Sequence, residues 1–226
     1  MAFYGAWKPG FVFANIHEER SKSRPLDDVR RLVRHGPIYP ALTIWLLWNF
    51  APGSLTPLQY HLQNALHGED FRWGEWNAIF TVSFIPAFMA YGVLCRRIAL
   101  ATLLRWGTVI AVPQFIPLLM VHSVMGALLA AIPMGLMGGI ATAAYFDLII
   151  RSCPRGLQGT TLMMSGALYF VASRFGDLLG AGIYDRFGGF GVCVIVITIV
   201  YALILPTLAL VPKNLIDYAD GEAPDG

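Results

Sequence analysis

The sequence contains few charged residues. Asp, Glu, Lys and Arg make up 13% of its 226 residues, whereas hydrophobic residues make up 56%. About a quarter of the residues are charged in an ordinary soluble domain, so this composition excludes that class of protein. The net charge of +2 is also too small to favour a nucleic-acid partner. We therefore expect an integral membrane protein whose main partner is the lipid bilayer.

Cysteine and the common catalytic motifs are also scarce. The three cysteines, Cys95, Cys153 and Cys193, are far apart, and they form neither a disulfide framework nor a Cys-x-x-Cys metal pair. The sequence contains no HExxH, GxSxG or P-loop motif and no paired aspartates inside an apolar run. We therefore expect no enzymatic activity, no cofactor and no metal site.

Long apolar runs are abundant. A bilayer core of about 30 Å requires about 20 apolar residues in a helix, and six runs reach roughly that length: 38–62, 76–95, 99–121, 123–150, 159–184 and 188–211. Pro52, Gly53 and Pro57 predict that the first helix is kinked or broken. The predicted fold class is all-α, a polytopic membrane protein with six transmembrane helices.

The basic residues are concentrated at alternate ends of these runs. Arg96 and Arg97 follow the second run, Arg151 and Arg155 follow the fourth, and Lys213 follows the sixth. Six further Lys and Arg residues lie between residues 20 and 34, before the first run. Because short cytoplasmic loops are enriched in Lys and Arg, we expect both termini in the cytoplasm and the protein in the plasma (inner) membrane.

The chain divides into four predicted parts. Residues 1–13 are apolar but too short to span a bilayer, residues 14–37 form a cytoplasmic linker, residues 38–212 form the six-helix bundle, and residues 213–226 form a cytoplasmic tail. Within the linker, "SRPLDDVRRLVRHGP" places acids before bases in the order that a short helix favours. This helix has two interpretations: it lies against anionic lipid headgroups, or it is a plain charged linker.

Polar residues recur inside the first run at steps of three or four, which places them on one face of a continuous helix: Trp45, Asn49, Pro52, Thr56, Gln59 and Gln63. Such a stripe suits a helix that faces a water-filled cavity. It nominates Asn49, Thr56 and Gln59 as substrate-binding residues. The alternative is that Gln59 and Gln63 are interfacial and that Asn49 bonds to a neighbouring helix.

Other patterns are assigned to packing. A weaker stripe in the second run is interpreted as core: Asn77, Thr81, Phe84, Phe88 and Tyr91. Gly135 with Gly139, and Gly176 with Gly180, have the small-xxx-small spacing that allows helix backbones to approach closely.

Charged residues interrupt two of the runs. Arg174 lies about 22 Å into the fifth run, with Asp177 three residues further on. A lone charge at such a depth costs at least about 2.5 kcal/mol. The two side chains form a structural ion pair, or they lie on a water-filled pathway where they bind an anionic group or Asp177 relays a proton. Asp147 and Arg151, one turn apart at the end of the fourth run, are expected to stabilise the helix end or to form a gate.

Three stretches carry a family resemblance. "FYGAWKPGFVFAN" looks like the end of a preceding helix. "YGVLCRRIALATLLRWG" is similar to a Gly-and-Arg loop and keeps Gly92, Arg96 and Arg97, but it lacks the acidic residue of that motif. "DLIIRSCPRGLQGTTLMMSGALYF" carries a Cys-Pro-x-Gly-x-x-Gly-Thr pattern that begins at Cys153 and ends at Thr160. With six spans, these features resemble the C-terminal half of a major facilitator superfamily transporter, and the last stretch resembles its folate–biopterin branch.

The resemblance implies a secondary active transporter that moves a small polar or anionic solute by alternating access between two six-helix halves. It implies that Tyr169, Arg174 and Asp177 on the family's helix eleven join the first span around the solute, and that Arg96 and Arg97 belong to a gating loop. The second half would come from the same chain upstream, from a homodimer or from a partner. The alternative is a six-helix subunit or scaffold that transports nothing.

Overall fold

The part of the protein that the structure describes is a bundle of helices. A computed structural model describes residues 25–154 and 156–217, and every regular element in these two ranges is helical. The predictions for residues 1–24, which include the tail of a preceding helix at 1–13, lie outside the described residues. So do those for Arg155 and for residues 218–226 of the tail.

The helices follow one another with short connections: α1 (Pro25–Val33), α2 (Ile38–Asn49), α3 (Thr56–Tyr60), α4 (Phe71–Val82), α5 (Phe84–Leu94), α6 (Leu100–Ala111), α7 (Val124–Arg151), α8 (Gln158–Phe187), α9 (Phe190–Ala202), α10 (Ile204–Leu208) and α11 (Lys213–Ile216). A π-helical turn, His61–Ala65, continues α3, and a 3₁₀ turn, Ile116–Met120, follows α6. After α1, these elements form six segments, which we number from first to sixth: 38–65, 71–94, 100–120, 124–151, 158–187 and 190–208.

Four segments are long and apolar enough to cross a bilayer: Phe71–Leu94, Leu100–Met120, Val124–Arg151 and Phe190–Leu208. Large apolar side chains on their surfaces face outward, among them Met89, Met120 and Ile195, as contact with lipid requires. These helices indicate a membrane protein. The first segment is interrupted after α2, and the fifth carries charged residues near its middle and its end.

The first segment is broken at 50–55. Phe50 leaves the helical conformation with ψ of 82°, and Gly53 adopts φ of +128°, which favours glycine. The next helix, α3, begins at Thr56 and has Pro57 in its first turn, where a proline costs no hydrogen bond. The expectation of one continuous polar stripe from Trp45 to Gln63 is therefore wrong, because its members lie on two separate helices.

Glycines of α8 hold this break. A Cβ atom on Gly180 would lie 2.8 Å from the backbone nitrogen of Gly53, and one on Gly176 would lie 2.9 Å from that of Ala51. Only residues without a side chain permit so close an approach of two backbones. On α7, a Cβ atom on Gly135 would overlap the carbonyl oxygen of Phe80. The packing role predicted for these glycines is confirmed.

The packing of the six segments repeats in part after three. The first segment packs against the fifth and the sixth, and the fourth packs in the same way against the second and the third. The third also contacts the sixth, and the first contacts the fourth. Exchanging the first three segments with the last three leaves these contacts unchanged. The fifth segment also contacts the sixth and the fourth, whereas the corresponding contacts of the second with the third and the first are weaker.

The amphipathic helix predicted in the linker corresponds to α1. Leu32 is fully buried, and it packs with Ile38 and Leu157 in a small cluster at the start of α8. Val29 and Val33 on the same helix are exposed. Leu32 thus attaches α1 to the bundle.

Candidate functional site

A cavity of about 440 Å³ lies at the break in the first segment. Each of the six segments contributes at least one lining residue. The break itself contributes Ala51, Ser54 and Leu55. A discontinuous helix in the interior of a membrane bundle is tolerated where it lines a cavity. The cavity therefore accounts for the position of the break.

Aromatic rings form one wall of the cavity. Trp48 stacks on Tyr201 with ring centroids 4.5 Å apart, and it meets Tyr145 edge-on at 5.3 Å. Its indole Nε1 donates a hydrogen bond to Thr142 Oγ1 at 3.0 Å. Trp45, one turn earlier, donates from Nε1 to the carbonyl oxygen of Ser165 at 2.9 Å. These contacts fix both indoles in place.

A second aromatic wall comes from α4. Trp76 stacks on Phe80 with centroids 5.0 Å apart and rings within 13° of parallel. Phe84, at the start of α5, meets Phe80 at a tilt. Between the two walls lie polar but uncharged side chains: Asn49, Ser54, Asn77, Thr81, Gln114, Thr142, Tyr169 and Ser173. No charged side chain of the described residues lines the cavity, so it offers ring stacking and hydrogen bonds rather than a counter-ion.

The cavity opens on one side of the bundle. Its floor is buried and includes Trp48, Trp76 and Gln114, whereas Asn77 and Tyr169 at its rim are exposed. The rim residues belong to the second and fifth segments. The opening therefore lies between α4 and α8, on a surface that the described residues leave uncovered.

Two of the residues nominated from the sequence, Asn49 and Tyr169, line the cavity. The Asn49 amide nitrogen donates to the Trp45 carbonyl oxygen at 2.7 Å, within its own helix. Thr56 and Gln59 lie on α3, beyond the break, and are not lining residues. They were nominated as members of a continuous helical face, which the break removes.

Asp177 binds the start of α3. Its two carboxylate oxygens accept hydrogen bonds from the Thr56 backbone N–H at 2.9 Å and from the Thr56 hydroxyl at 3.0 Å. The backbone N–H groups of the first turn of a helix have no partner within the helix, so a carboxylate there satisfies one of them. Asp177 and the neighbouring glycines of α8 thus hold the two sides of the break together.

Arg174 has different surroundings. It is exposed near the middle of α8, one residue after Ser173 of the cavity lining. It forms no ion pair with Asp177, because the ion pairs among the described residues are Arg72–Glu75 and Arg151–Asp147. Of the two interpretations of Arg174 and Asp177, the structural ion pair is therefore wrong. Asp177 points to α3 instead.

Asp147 lies near the C-terminal end of α7, where it connects α7 with α5. Arg151 Nε lies 3.0 Å from Asp147 Oδ1, and the Tyr91 hydroxyl donates to Asp147 Oδ2 at 2.7 Å. This carboxylate therefore connects the ends of α5 and α7. Arg96 and Arg97 lie in the exposed turn that follows α5.

Replacing Asp147 is expected to weaken the connection between α5 and α7. Asp147→Asn removes the charge that faces Arg151 in a site where both side chains are about one-fifth exposed, so we expect the free energy of unfolding to fall by about 1–3 kcal/mol. Glu75→Gln is a matched control, because it breaks the more exposed Arg72–Glu75 pair and should cost less than about 1 kcal/mol. Equal losses in a detergent unfolding titration would contradict this prediction.

Several lining residues were missed or misassigned from the sequence. Asn77, Thr81 and Phe84 were interpreted as core packing, but they line the cavity. Their spacing of three and four residues was the available signal. Gln114 was not singled out, although it is an isolated polar residue in the apolar stretch "AVPQFIP". Which helix a given apolar run packs against cannot be read from spacing within that run.

No protein-family model matches the chain, and none of the curated proteins matches it.

Proposed function

We propose that the chain is one six-helix half of a secondary active transporter of the major facilitator type, and that it moves a small polar solute by alternating access. The observation that carries the proposal is the cavity at the break of the first segment. It is lined by uncharged polar and aromatic residues from all six segments, as a solute site in the interior of a bundle requires.

The packing pattern supports the fold part of the proposal. In a transporter half built from two inverted three-helix repeats, exchanging the repeats exchanges equivalent contacts. The six segments have this property in part: the contacts of the first with the fifth and sixth correspond to those of the fourth with the second and third, although the contact of the fifth with the sixth has no equally strong counterpart. On this proposal the first and fifth segments also span the membrane, which gives six spans in total.

The positions of basic residues support the proposed orientation. Arg96 and Arg97 follow the second segment, Arg151 ends the fourth, and Lys213 follows the sixth. These basic residues follow every second segment, so on this proposal they lie on the same side of the membrane. The positive-inside rule makes this the cytoplasmic side of a bacterial inner membrane or a plasma membrane.

Arg174 supports a second half. A cation exposed near the middle of a membrane helix is costly against lipid, so the outward face of α8 requires a polar or acidic neighbour. The cavity opens beside this face, between α4 and α8. A second six-helix bundle seated there would cover both the opening and Arg174. Among the described residues, no cationic side chain lines the cavity, so the lining favours a neutral solute over an anionic one.

A scaffold without transport activity is the second candidate. The observation that favours it is the structural use of Asp177, whose two carboxylate oxygens are both bound by Thr56. A carboxylate in this role stabilises the bundle and does not require a passing proton.

Access to the cavity separates the two candidates without knowledge of the solute. In a cysteine-free background, single cysteines replace Asn77 and Ser173 of the lining, and a third replaces Ile195, an exposed apolar residue of the sixth segment, as the control. A transporter should allow an impermeant maleimide to label the first two positions from either side of native membrane vesicles. Ile195→Cys should remain unlabelled because it faces lipid. Labelling of the lining from one side alone, or from neither, would support the scaffold and overturn the proposed function.

A further inference from the structure

The short helix α1 lies at the end of the bundle where two of its segments begin. Leu32 of α1 packs with Ile38, the first residue of α2, and with Leu157, which directly precedes α8. On the six-span topology proposed above, α2 and α8 enter the bilayer near these two residues. The outward side of α1 is therefore at the depth of the lipid headgroups.

Hydrogen bonds fix α1 relative to α2. The His35 N–H donates to the Leu32 carbonyl oxygen at 3.0 Å, and the Ile38 N–H donates to the His35 carbonyl oxygen at 3.2 Å. The Tyr39 hydroxyl donates to the carbonyl oxygen of Val33, the last residue of α1. The connection is thus a hydrogen-bonded turn, which a plain charged linker does not require. It holds α1 with one face toward the bundle and the other outward.

The outward face of α1 carries an apolar strip beside a basic one. Val29 and Val33 lie one turn apart and are 43% and 51% exposed. Arg30 and Arg34 lie one turn apart on the neighbouring strip, because the Arg34 N–H donates to the Arg30 carbonyl oxygen and continues the helix. Arg30, Arg31 and Arg34 are all exposed, and none of them forms an ion pair with a described residue.

The segment that contains α1 is strongly basic. Residues 20–34 contain six Lys and Arg residues and two acids, Asp27 and Asp28. The two acids lie in the first turn of α1, so the three arginines are concentrated toward its C-terminal end. A cluster of about 4–8 basic residues beside a membrane helix is typical of segments that bind anionic lipid. The charge of this segment therefore favours an anionic partner.

We propose that α1 docks on the anionic phospholipid headgroups of the surrounding bilayer. Val29 and Val33 would lie at the boundary between headgroups and acyl chains, where the apolar face of an interfacial helix is buried. The arginines would bind the phosphates, which match the planar guanidinium group. This inference rests on the proposed six-span topology, but it does not depend on transport or on what the cavity binds.

An acidic part of the chain itself is the competing occupant. The C-terminal sequence "DYADGEAPDG" contains four acidic residues, so it matches the charge of α1. Its only apolar side chains are one Tyr, two Ala and one Pro, which offer little surface to cover Val29 and Val33. A bilayer boundary matches both strips of α1, and the observations therefore favour lipid over this tail.

Fluorescence quenching in the complete chain tests the docking. In a cysteine-free background, Val33→Cys carries the fluorophore NBD, and the chain is placed in nanodiscs of phosphatidylcholine alone or with about 30% phosphatidylglycerol. Acrylamide, a neutral aqueous quencher, should quench at least about threefold less efficiently in the anionic discs, because docking shields the fluorophore. Raising NaCl to about 1 M should reverse this change by screening the attraction.

Variants of the arginines locate the effect. Arg30→Gln, Arg31→Gln and Arg34→Gln together should abolish the difference between the two lipid compositions, because each basic residue contributes about fivefold, or about 1 kcal/mol. The corresponding triple change to lysine keeps the charge and should retain most of the difference. The matched control removes three exposed arginines outside α1 and should leave the difference unchanged: Arg96→Gln, Arg97→Gln and Arg105→Gln.

The thermal unfolding midpoint in neutral discs controls for folding. It should be nearly the same for the unmodified chain and for the triple glutamine variant of α1, because exposed side chains without ion pairs contribute little to stability. A variant that unfolds earlier would shift the test to the lysine variant and to the salt dependence of the unmodified chain.

Three results would overturn the proposal. Equal shielding in neutral discs, anionic discs and detergent micelles would mean that a part of the protein, such as the acidic tail, covers the valines. Efficient quenching in both lipid compositions would mean that α1 does not dock on the membrane. Loss of the difference in the control with changes at 96, 97 and 105 would mean that overall charge, and not α1, responds to the lipid. None of these results affects the labelling of the cavity, which tests the proposed function separately.

Discussion

Gly180→Ala is expected to destabilise the bundle by about 1–3 kcal/mol, although it adds a single methyl group. The new Cβ atom would lie 2.8 Å from the backbone nitrogen of Gly53 and 3.1 Å from the carbonyl carbon of Pro52. These are backbone atoms, and they cannot move aside as the end of a flexible side chain can. To admit the methyl group, α8 must withdraw from the break, and Asp177 would withdraw with it from Thr56.

The matched control lies two residues further along the same helix. Gly182→Ala adds the same atom where nothing lies within 4 Å, and alanine favours a helix over glycine by up to about 1 kcal/mol. Thermal unfolding in detergent should therefore give a lower midpoint for Gly180→Ala and an unchanged or higher midpoint for Gly182→Ala. Equal midpoints for the two variants would mean that the backbones of α8 and the break are not in close contact.

Asp177→Leu is expected to lower the free energy of unfolding by about 2–4 kcal/mol, since both hydrogen bonds to Thr56 end on an ionised carboxylate. Asp177→Asn should cost about half as much, because its amide oxygen still accepts from one of the two donors. Arg174→Leu should cost little in the isolated chain, because Arg174 is exposed and forms no ion pair with Asp177.

A double-mutant cycle on these two residues measures whether they interact. Because the two side chains do not form an ion pair, the effects of Asp177→Leu and Arg174→Leu should add within about 0.5 kcal/mol. An intrahelical ion pair would make the double variant more stable than the sum of the single effects. A coupling energy above about 1 kcal/mol, measured by unfolding in mixed detergent micelles, would contradict the arrangement described for Asp177.

The helices themselves could be predicted from the sequence because their causes are local. Apolar runs predicted where the six helical segments lie to within about five residues, and four of these segments are long and apolar enough to cross a bilayer. Pro52 with Gly53 predicted the break. The small-xxx-small spacing of Gly176 and Gly180 indicated a close approach of backbones. The partner in that approach is the break, and no pattern within α8 identifies it.

The site was harder to predict, because it depends on residues far apart in the sequence. Spacing along a helix identifies neighbours on that helix, and for this reason Arg174 was offered as the partner of Asp177. The actual partner, Thr56, is 121 residues away. The same limit applies to Gln114, whose surroundings come from Tyr201 and Gly138 on other segments. Thr56 and Gln59 were placed on the same helical face as Asn49, which requires one continuous helix. The break at 50–55 separates them from Asn49.

The distance of 121 residues between Thr56 and Asp177 has a consequence for the order of synthesis. At about 5–20 residues per second, the ribosome needs roughly 6–24 s after making Thr56 to make the carboxylate that binds it. During that interval the first segment has left the ribosome, while the helix that holds its break does not yet exist. Substitutions in α8 that weaken its contacts with the break should therefore reduce the amount of protein that folds in the membrane, even where the molecules that do fold have a nearly normal unfolding midpoint.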